Sequence, residues 1–150
     1  MLITRKMIGQ AIAAIFALLI LVVTLQVATR AIGISMPWTE EAARFLLIWL
    51  VFLSGYLTIR KGINITFDLV LGMLPEKWWK VLFTLVNIIS CGFLVLLAVL
   101  GIQLVQLTMP QLSPILKVPM GIVYLAIPFG AAVMILAQVE TYFTLMKERR

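Results

Sequence analysis

Four long apolar stretches, separated by short polar segments, dominate this sequence. They cover approximately residues 8–29, 39–59, 79–108 and 120–145 of the 150-residue chain. A helix needs about 20 residues to cross roughly 30 Å of hydrocarbon, and each stretch is long enough. Because a spanning segment must satisfy its own backbone hydrogen bonds, each is expected to be helical. The sequence therefore predicts an all-α integral membrane protein with four transmembrane helices and a single membrane domain, residues 1–150.

The composition agrees with a membrane environment and excludes several functions. The chain is 63% hydrophobic and 12% charged, more apolar than a soluble domain of this size can bury. Its net charge of +6 comes from residues at the ends of apolar stretches, which favours membrane lipids as partners and not nucleic acid. With no histidine and one cysteine, the usual haem ligands, a histidine base and an internal disulfide are impossible. We predict no enzyme activity and no catalytic, cofactor or metal residue.

The distribution of lysine and arginine predicts the orientation. With the N-terminus in the cytoplasm, the inner side holds nine basic residues: Arg5, Lys6, Arg60, Lys61, Lys77, Lys80, Lys147, Arg149 and Arg150. The outer side holds three: Arg30, Arg44 and Lys117. Cytoplasmic segments next to spans are enriched in basic residues, so both termini are expected in the cytoplasm.

The two longer connections differ in character. The inner connection is predicted to contain a short interfacial helix at about residues 66–74, stopped by Pro75. Trp78 and Trp79 then mark the head-group level where the third span begins. The outer connection, residues 109–119, contains three prolines and is expected to be stiff and extended.

The densest polar cluster lies where the second span begins. Glu40 and Arg44 are four residues apart with the acid first, so they are expected to form an ion pair on one helix face. Arg44 lies about one turn into the span, where a charge is costly unless it is paired or faces protein. Two interpretations remain open: a capped helix start with a solvated ion pair, or a polar contact surface for another subunit.

The interiors of the spans contain no acidic or basic residue near their middles. A proton-coupled carrier is expected to have one there, so this absence argues against it. The small and hydroxyl-bearing residues in the spans are typical of helix–helix packing. Pro128 lies inside the fourth span, and a kinked helix is expected there.

Three segments together resemble a known family, the small membrane (Q-type) subunit of tripartite ATP-independent periplasmic (TRAP) transporters. The first runs from Trp38 to Arg44 and is followed by Trp49 and Phe52-Leu53-Ser54-Gly55; the second is Arg60 to Asp68; the third is Leu116 to Tyr124, with Pro128 after it. The family commonly has histidine where Asn64 stands and valine where Phe67 stands, so no role is carried over to that histidine position.

The resemblance and the span ends supply the candidate site residues. The partner-contact candidates are Trp38, Glu40, Glu41, Arg44 and Trp49; those of the inner-loop motif and membrane interface are Arg60, Lys61, Gly62, Asp68, Trp78 and Trp79; those at the start of span four and its kink are Pro119, Gly121, Tyr124 and Pro128.

The resemblance also implies a division of labour. In this family a soluble periplasmic protein captures an organic anion, often a carboxylate or sialic acid. A large elevator-type membrane subunit holds the substrate and sodium sites, and the small subunit enlarges its scaffold. The chain is then expected in a bacterial or archaeal cytoplasmic (inner) membrane as an accessory subunit of a sodium-coupled symporter. Its partners would be the large subunit and the docked periplasmic substrate-binding protein, and it would hold no cofactor itself.

Two other functions remain alternatives at the level of sequence. A self-sufficient small carrier or channel could work as a homo-oligomer, but only scattered threonine, asparagine and glutamine residues could line its path. A membrane redox subunit lacks the usual haem ligands and a dithiol.

Overall fold

The computed structural model describes the backbone of residues 2–71 and 76–148, and the side chains of residues 7–60, 78–144, 146 and 147. These residues form five helices: α1 (Leu2–Ala31), α2 (Pro37–Leu71), α3 (Glu76–Thr108), α4 (Met120–Tyr124) and α5 (Ala126–Glu148). Within the described ranges there is no β-strand, and a single isolated bridge joins Leu112 and Pro119.

Four segments are long and apolar enough to cross a membrane: Met7–Ala31, Pro37–Arg60, Trp78–Thr108 and Met120–Thr144. The last of them combines α4 and α5. The prediction of an all-α fold with four membrane-spanning helices is confirmed. The orientation of the termini stays a prediction.

The segment after the second span differs from the prediction of a separate short helix. The backbone of α2 continues without a break to Leu71, so residues 66–71 are helical as the end of α2. No proline interrupts this part of the chain before Pro75, and one glycine, Gly62, is tolerated inside a helix. Residues 72–74 lie outside the described residues, and a location in the membrane interface stays a prediction.

A compact turn connects α1 to α2. The amide of Gly33 donates to the carbonyl of Arg30 (3.1 Å) and that of Ile34 to the carbonyl of Thr29 (2.9 Å), the bond pattern of a Schellman motif. Gly33 has a φ of 77°, a left-handed conformation that favours glycine. Helix α2 then begins at Pro37, whose missing N–H is not needed at a first helical position.

The outer connection between α3 and α4 forms a tight hairpin, so the expectation of an extended loop is wrong. The amide of Ser113 donates to the carbonyl of Val118 (2.9 Å), and that of Met120 to the carbonyl of Gln111 (2.8 Å). The turn is closed by Lys117, which has a φ of 53°. The prolines stiffen this segment, but the hydrogen bonds between its two halves fold it back on itself. The Ser113 hydroxyl adds to them, because it accepts from the amide of Val118 (3.1 Å).

The spanning helices are arranged as an open row in the order α1, α2, α5, α3. Helix α2 packs against α1 and α5, and α3 packs against α5. Within the described ranges, α1 and α3 at the two ends of the row do not pack extensively on each other. The helices that the structure describes therefore do not close around a lumen.

Glycine permits the close approach of α2 and α5. A Cβ atom at Gly130 would lie 2.9 Å from the carbonyl oxygen of Phe52, nearer than a real side chain comes.

The fourth span is interrupted at Leu125, between α4 and α5. This interruption is one turn before Pro128, whose ring nitrogen has no hydrogen to donate to the carbonyl of Tyr124.

Candidate contact sites at the two ends of the spans

The carboxylate of Glu41 anchors the outer hairpin to the start of α2. Its Oε2 accepts hydrogen bonds from the amides of Leu116 (2.7 Å) and Ile115 (3.2 Å), and the residue is 8% exposed. Backbone N–H bonds to a carboxylate are charge-assisted and stronger than neutral ones. The second carboxylate of the acidic pair therefore points inward and is occupied within the chain, and a contact of Glu41 with a partner stays a prediction.

The neighbouring pair, Glu40 and Arg44, has the geometry expected from its spacing. The guanidinium of Arg44 donates to Oε1 of Glu40 (3.0 Å), and their side chains are 67% and 65% exposed. With Trp38, which is also exposed, they form what we call the outer polar surface. A cavity of about 310 Å³ beside this surface is bordered by Glu40, Arg44, Glu41 and Tyr124. The ion pair is solvated, and the three side chains remain accessible to another subunit.

Other candidates around the fourth span are used in packing. The ring of Trp49 lies against Phe129, with centroids 6.2 Å apart. Pro119 precedes the first residue of α4 and Gly121 is buried. A Cβ atom at Gly121 would meet the carbonyl oxygen of Val105 at 2.9 Å. These residues hold α2, α3 and the fourth span together, so only Trp38, Glu40 and Arg44 remain exposed among the partner-contact candidates.

An ion pair at the inner end joins α2 to α5. A guanidinium nitrogen of Arg60 donates to Oε2 of Glu140, and the side chains are 27% and 30% exposed. The guanidinium also lies over the ring of Tyr56, 5.5 Å from its centroid. The sequence analysis identified Arg60 and missed Glu140. Glu140 could have been identified from the sequence, because a carboxylate in the inner part of an otherwise apolar span is costly unless a cation pairs with it.

The two neighbouring tryptophans at the start of α3 have different surroundings. Trp78 is exposed, as a residue at the head-group level would be. Trp79 is 3% exposed and stacks on Phe83 at 4.8 Å, and Phe83 in turn stacks on Tyr142 at 5.7 Å. Adjacent helical residues point about 100° apart, so Trp79 packs within the chain while Trp78 is exposed. The location of both residues at the head-group level stays a prediction.

The remaining inner-loop candidates lie beyond the described side chains. Lys61, Gly62 and Asp68 belong to the helical backbone of α2, and their contacts fall outside the described residues. Among the described residues there is no cluster of three metal-ligating side chains.

A polar contact that the sequence analysis did not predict crosses from α3 to α5. The amide nitrogen of Gln138 donates to the backbone carbonyl of Asn87 (3.1 Å) and to its Oδ1 (3.3 Å). Asn87 donates in turn to the carbonyl of Phe83 (2.9 Å). One turn away, the hydroxyls of Thr84 and Tyr142 lie 3.3 Å apart. Only the packing of two distant helices reveals these pairs.

Comparison with known proteins places these features in one family. The family described as "Tripartite ATP-independent periplasmic transporters, DctQ component" matches residues 19–148. A protein of Oleidesulfovibrio alaskensis, "Isethionate TRAP transporter permease protein DctMQ", is 31% identical over 125 residues, covering 77% of this chain and 20% of the relative. A Rhodobacter capsulatus protein, "C4-dicarboxylate TRAP transporter small permease protein DctQ", is 31% identical over 108 residues, covering 68% of this chain and 46% of the relative.

The chain thus spans less than half of the length of these two relatives. A third relative, "Putative TRAP transporter small permease protein" of Haemophilus influenzae, is 24% identical over 97 residues, covering 65% of this chain and 59% of the relative. The family match covers nearly the whole membrane region, including all three segments on which the resemblance rested. The four apolar helices and this match confirm the sequence-based identification: the chain is a multi-pass membrane protein of the DctQ component family of tripartite ATP-independent periplasmic transporters.

Proposed function

We propose that this chain is the accessory small subunit of a TRAP secondary transporter and that it binds a large membrane subunit. The observation that carries the proposal is the family match over residues 19–148. The relative named DctMQ adds support, because the match covers only 20% of it. The chain corresponds to a minor part of that permease protein, as a subunit that accompanies a larger membrane component would.

The arrangement of the helices supports a scaffold role. An open row leaves broad apolar faces that lipid or another membrane protein must cover. In the most apolar window of the first span no residue is buried within the chain. Exposed apolar surface of this extent is what lateral packing on a larger subunit requires, since association in a bilayer depends on close side-chain contact.

The finer features of the proposal follow from the family and from the relatives. The names of two relatives refer to isethionate and to C4-dicarboxylates, which are organic anions, and we extend that class, with sialic acids, to the transporter served by this chain. Sodium sites are assigned to the large subunit. The outer polar surface is assigned to contact with the large subunit or with a docked periplasmic substrate-binding protein. The location is the bacterial or archaeal cytoplasmic membrane, with both termini in the cytoplasm.

The alternative of a self-sufficient carrier or channel lacks a comparable observation. The middles of the four spans contain no charged residue, and the open row encloses no lumen within the described ranges. A carrier would need a polar path across the membrane.

Reconstitution tests the two functions directly. Liposomes would contain the large subunit from the same organism, this chain, or both, with the periplasmic binding protein outside and an inward sodium gradient. Uptake of a labelled anion panel (isethionate, a C4-dicarboxylate and a sialic acid) is expected only when both membrane components are present. Full uptake by the large subunit alone would refute the accessory role, and flux through this chain alone would establish the alternative.

A further inference from the structure

A cleft lies between α3 and α5, along the membrane-spanning part of the two helices, and no described residue fills it. Its volume is about 440 Å³, and its lining includes Asn87, Ile88, Cys91, Gln138 and Val139. We call it the α3–α5 cleft. Most of its wall is apolar, and its polar members are the side chains that join the two helices.

The amide of Gln138 is only half satisfied. The residue is 6% exposed, and its Nε2 donates to both oxygens of Asn87. Its carbonyl oxygen Oε1 accepts no hydrogen bond from any described residue. This oxygen is not among the fully buried, unpartnered atoms of the described residues, so a donor from outside the chain can reach it. Because an unpaired polar group is costly in hydrocarbon, this acceptor calls for such a donor.

The depth of the cleft excludes the usual donors of a membrane. Asn87 and Gln138 each lie six residues from the middle of their spans. At about 1.5 Å per residue, this is about 9 Å from the midplane of an upright span, whereas the hydrocarbon half-thickness is about 15 Å. Acyl chains carry no donor, and water and head groups are scarce at this depth. The donor therefore has to come from protein.

A second copy of this chain is a poor donor. In a two-fold symmetric pair the same surface is used on both copies. Where the two-fold axis passes through the cleft, each Gln138 would face another whose amide hydrogens are already used on Asn87, so acceptor would meet acceptor.

We propose that the α3–α5 cleft receives a transmembrane helix of the large permease subunit, and that a hydroxyl or amide donor on this helix bonds to Oε1 of Gln138. This inference rests on the proposed function and adds the contact surface to it. A cleft of about 440 Å³ has room for two or three apolar side chains of the incoming helix. Hydrogen bonds of this kind contribute to helix association in membranes, together with close apolar packing.

Cross-linking at Cys91 tests the location. It is the single cysteine of the chain and it lines the cleft. The chain would be co-expressed with a cysteine-free large subunit carrying single cysteines along its membrane helices, and oxidised with copper phenanthroline. A disulfide-linked heterodimer through Cys91 is expected. The matched control is Cys91→Ala with Leu100→Cys, which moves the thiol nine residues, to the opposite face of α3, at an exposed position. This control should give no heterodimer.

Two variants test the packing and the hydrogen bond. Ile88→Trp fills the cleft from its edge and should reduce co-purification of the large subunit at least tenfold, whereas Leu100→Trp should leave it unchanged. Gln138→Met removes the acceptor at similar volume and should also weaken co-purification. Circular dichroism and gel filtration of each variant must match the wild type, so that a folding defect is recognised; the Cys91 cross-link gives a result that needs neither variant.

The outcomes separate this inference from the proposed function. If the subunits co-purify but Ile88→Trp has no effect, or if only the Leu100→Cys control cross-links, the cleft is filled by lipid and the inference is wrong while the accessory role stands. A Cys91–Cys91 homodimer would also refute it in favour of self-association. If the wild-type chain never co-purifies with the large subunit, both proposals fail.

Discussion

Replacement of Glu41 should release the outer hairpin from α2. Its carboxylate accepts the amides of Ile115 and Leu116, and these are the side-chain hydrogen bonds that tie the hairpin to α2. The variant Glu41→Ala removes both. The variant Glu41→Gln keeps a neutral carbonyl in a similar place and removes only the charge.

The magnitude follows from the two bonds. A hydrogen bond to a charged group contributes about 1.5–3 kcal/mol, and a neutral one about 0.5–1.5 kcal/mol. Because the hairpin lies at the end of the spans, where water can replace a lost partner, we use the lower value for the charged bonds. Glu41→Ala then costs about 3 kcal/mol in closing the hairpin. Glu41→Gln costs about 1 kcal/mol, if each neutral bond contributes about 1 kcal/mol.

Hydrogen exchange of the hairpin measures this cost. The amides of Ile115 and Leu116 exchange when the hairpin opens, and each 1.4 kcal/mol changes an opening equilibrium tenfold. In nanodiscs, Glu41→Ala should speed exchange of a peptide containing both amides by about 100-fold, and Glu41→Gln by about fivefold. Exchange in the middle of α3 should not change.

The adjacent acid provides the control. Among the residues with described side chains, Glu40 pairs with Arg44, and both side chains are about two-thirds exposed. Exposed ion pairs contribute about 0–1 kcal/mol, so Glu40→Ala should leave the exchange of the hairpin unaltered. Equal effects of the two alanine variants, or no effect of Glu41→Ala, would show that the carboxylate does not hold the hairpin.

Two further predictions concern the α2–α5 contact. Arg60→Ala should lower the free energy of unfolding in mixed micelles by about 1–3 kcal/mol, because it leaves a partly buried carboxylate at Glu140 unpaired. The double variant that exchanges the charges, Arg60→Glu with Glu140→Arg, should recover part of this loss. A double variant no more stable than Arg60→Ala would contradict the pairing. Gly130→Ala should cost about 1–3 kcal/mol, since its Cβ would overlap the backbone of Phe52. The matched variant Gly92→Ala has nothing within 4 Å of the new Cβ and should be neutral or stabilising by thermal unfolding; equal losses at both positions would refute the role of close packing.

The sequence by itself determined the solvent, the number of spans and the helical structure of these spans. Stretches longer than about 20 apolar residues can satisfy their backbone only as helices in a bilayer. Interactions between neighbours along the chain could be predicted equally well. Pro37 begins α2, and Glu40 and Arg44 pair across one turn, because both features depend only on neighbours along the chain. The family was also recognisable from its three segments.

Only the tertiary structure decided what each polar side chain contacts. Three contacts join residues more than fifty positions apart: the hydrogen bonds of Glu41 to the outer hairpin, the ion pair of Glu140 with Arg60, and the hydrogen bonds of Gln138 to Asn87. In an all-apolar helix the periodicity that normally identifies the packed face is nearly absent, since lipid and protein neighbours select the same residue types. The order of helices in the row, and therefore the cleft between α3 and α5, could not be read from hydropathy for the same reason.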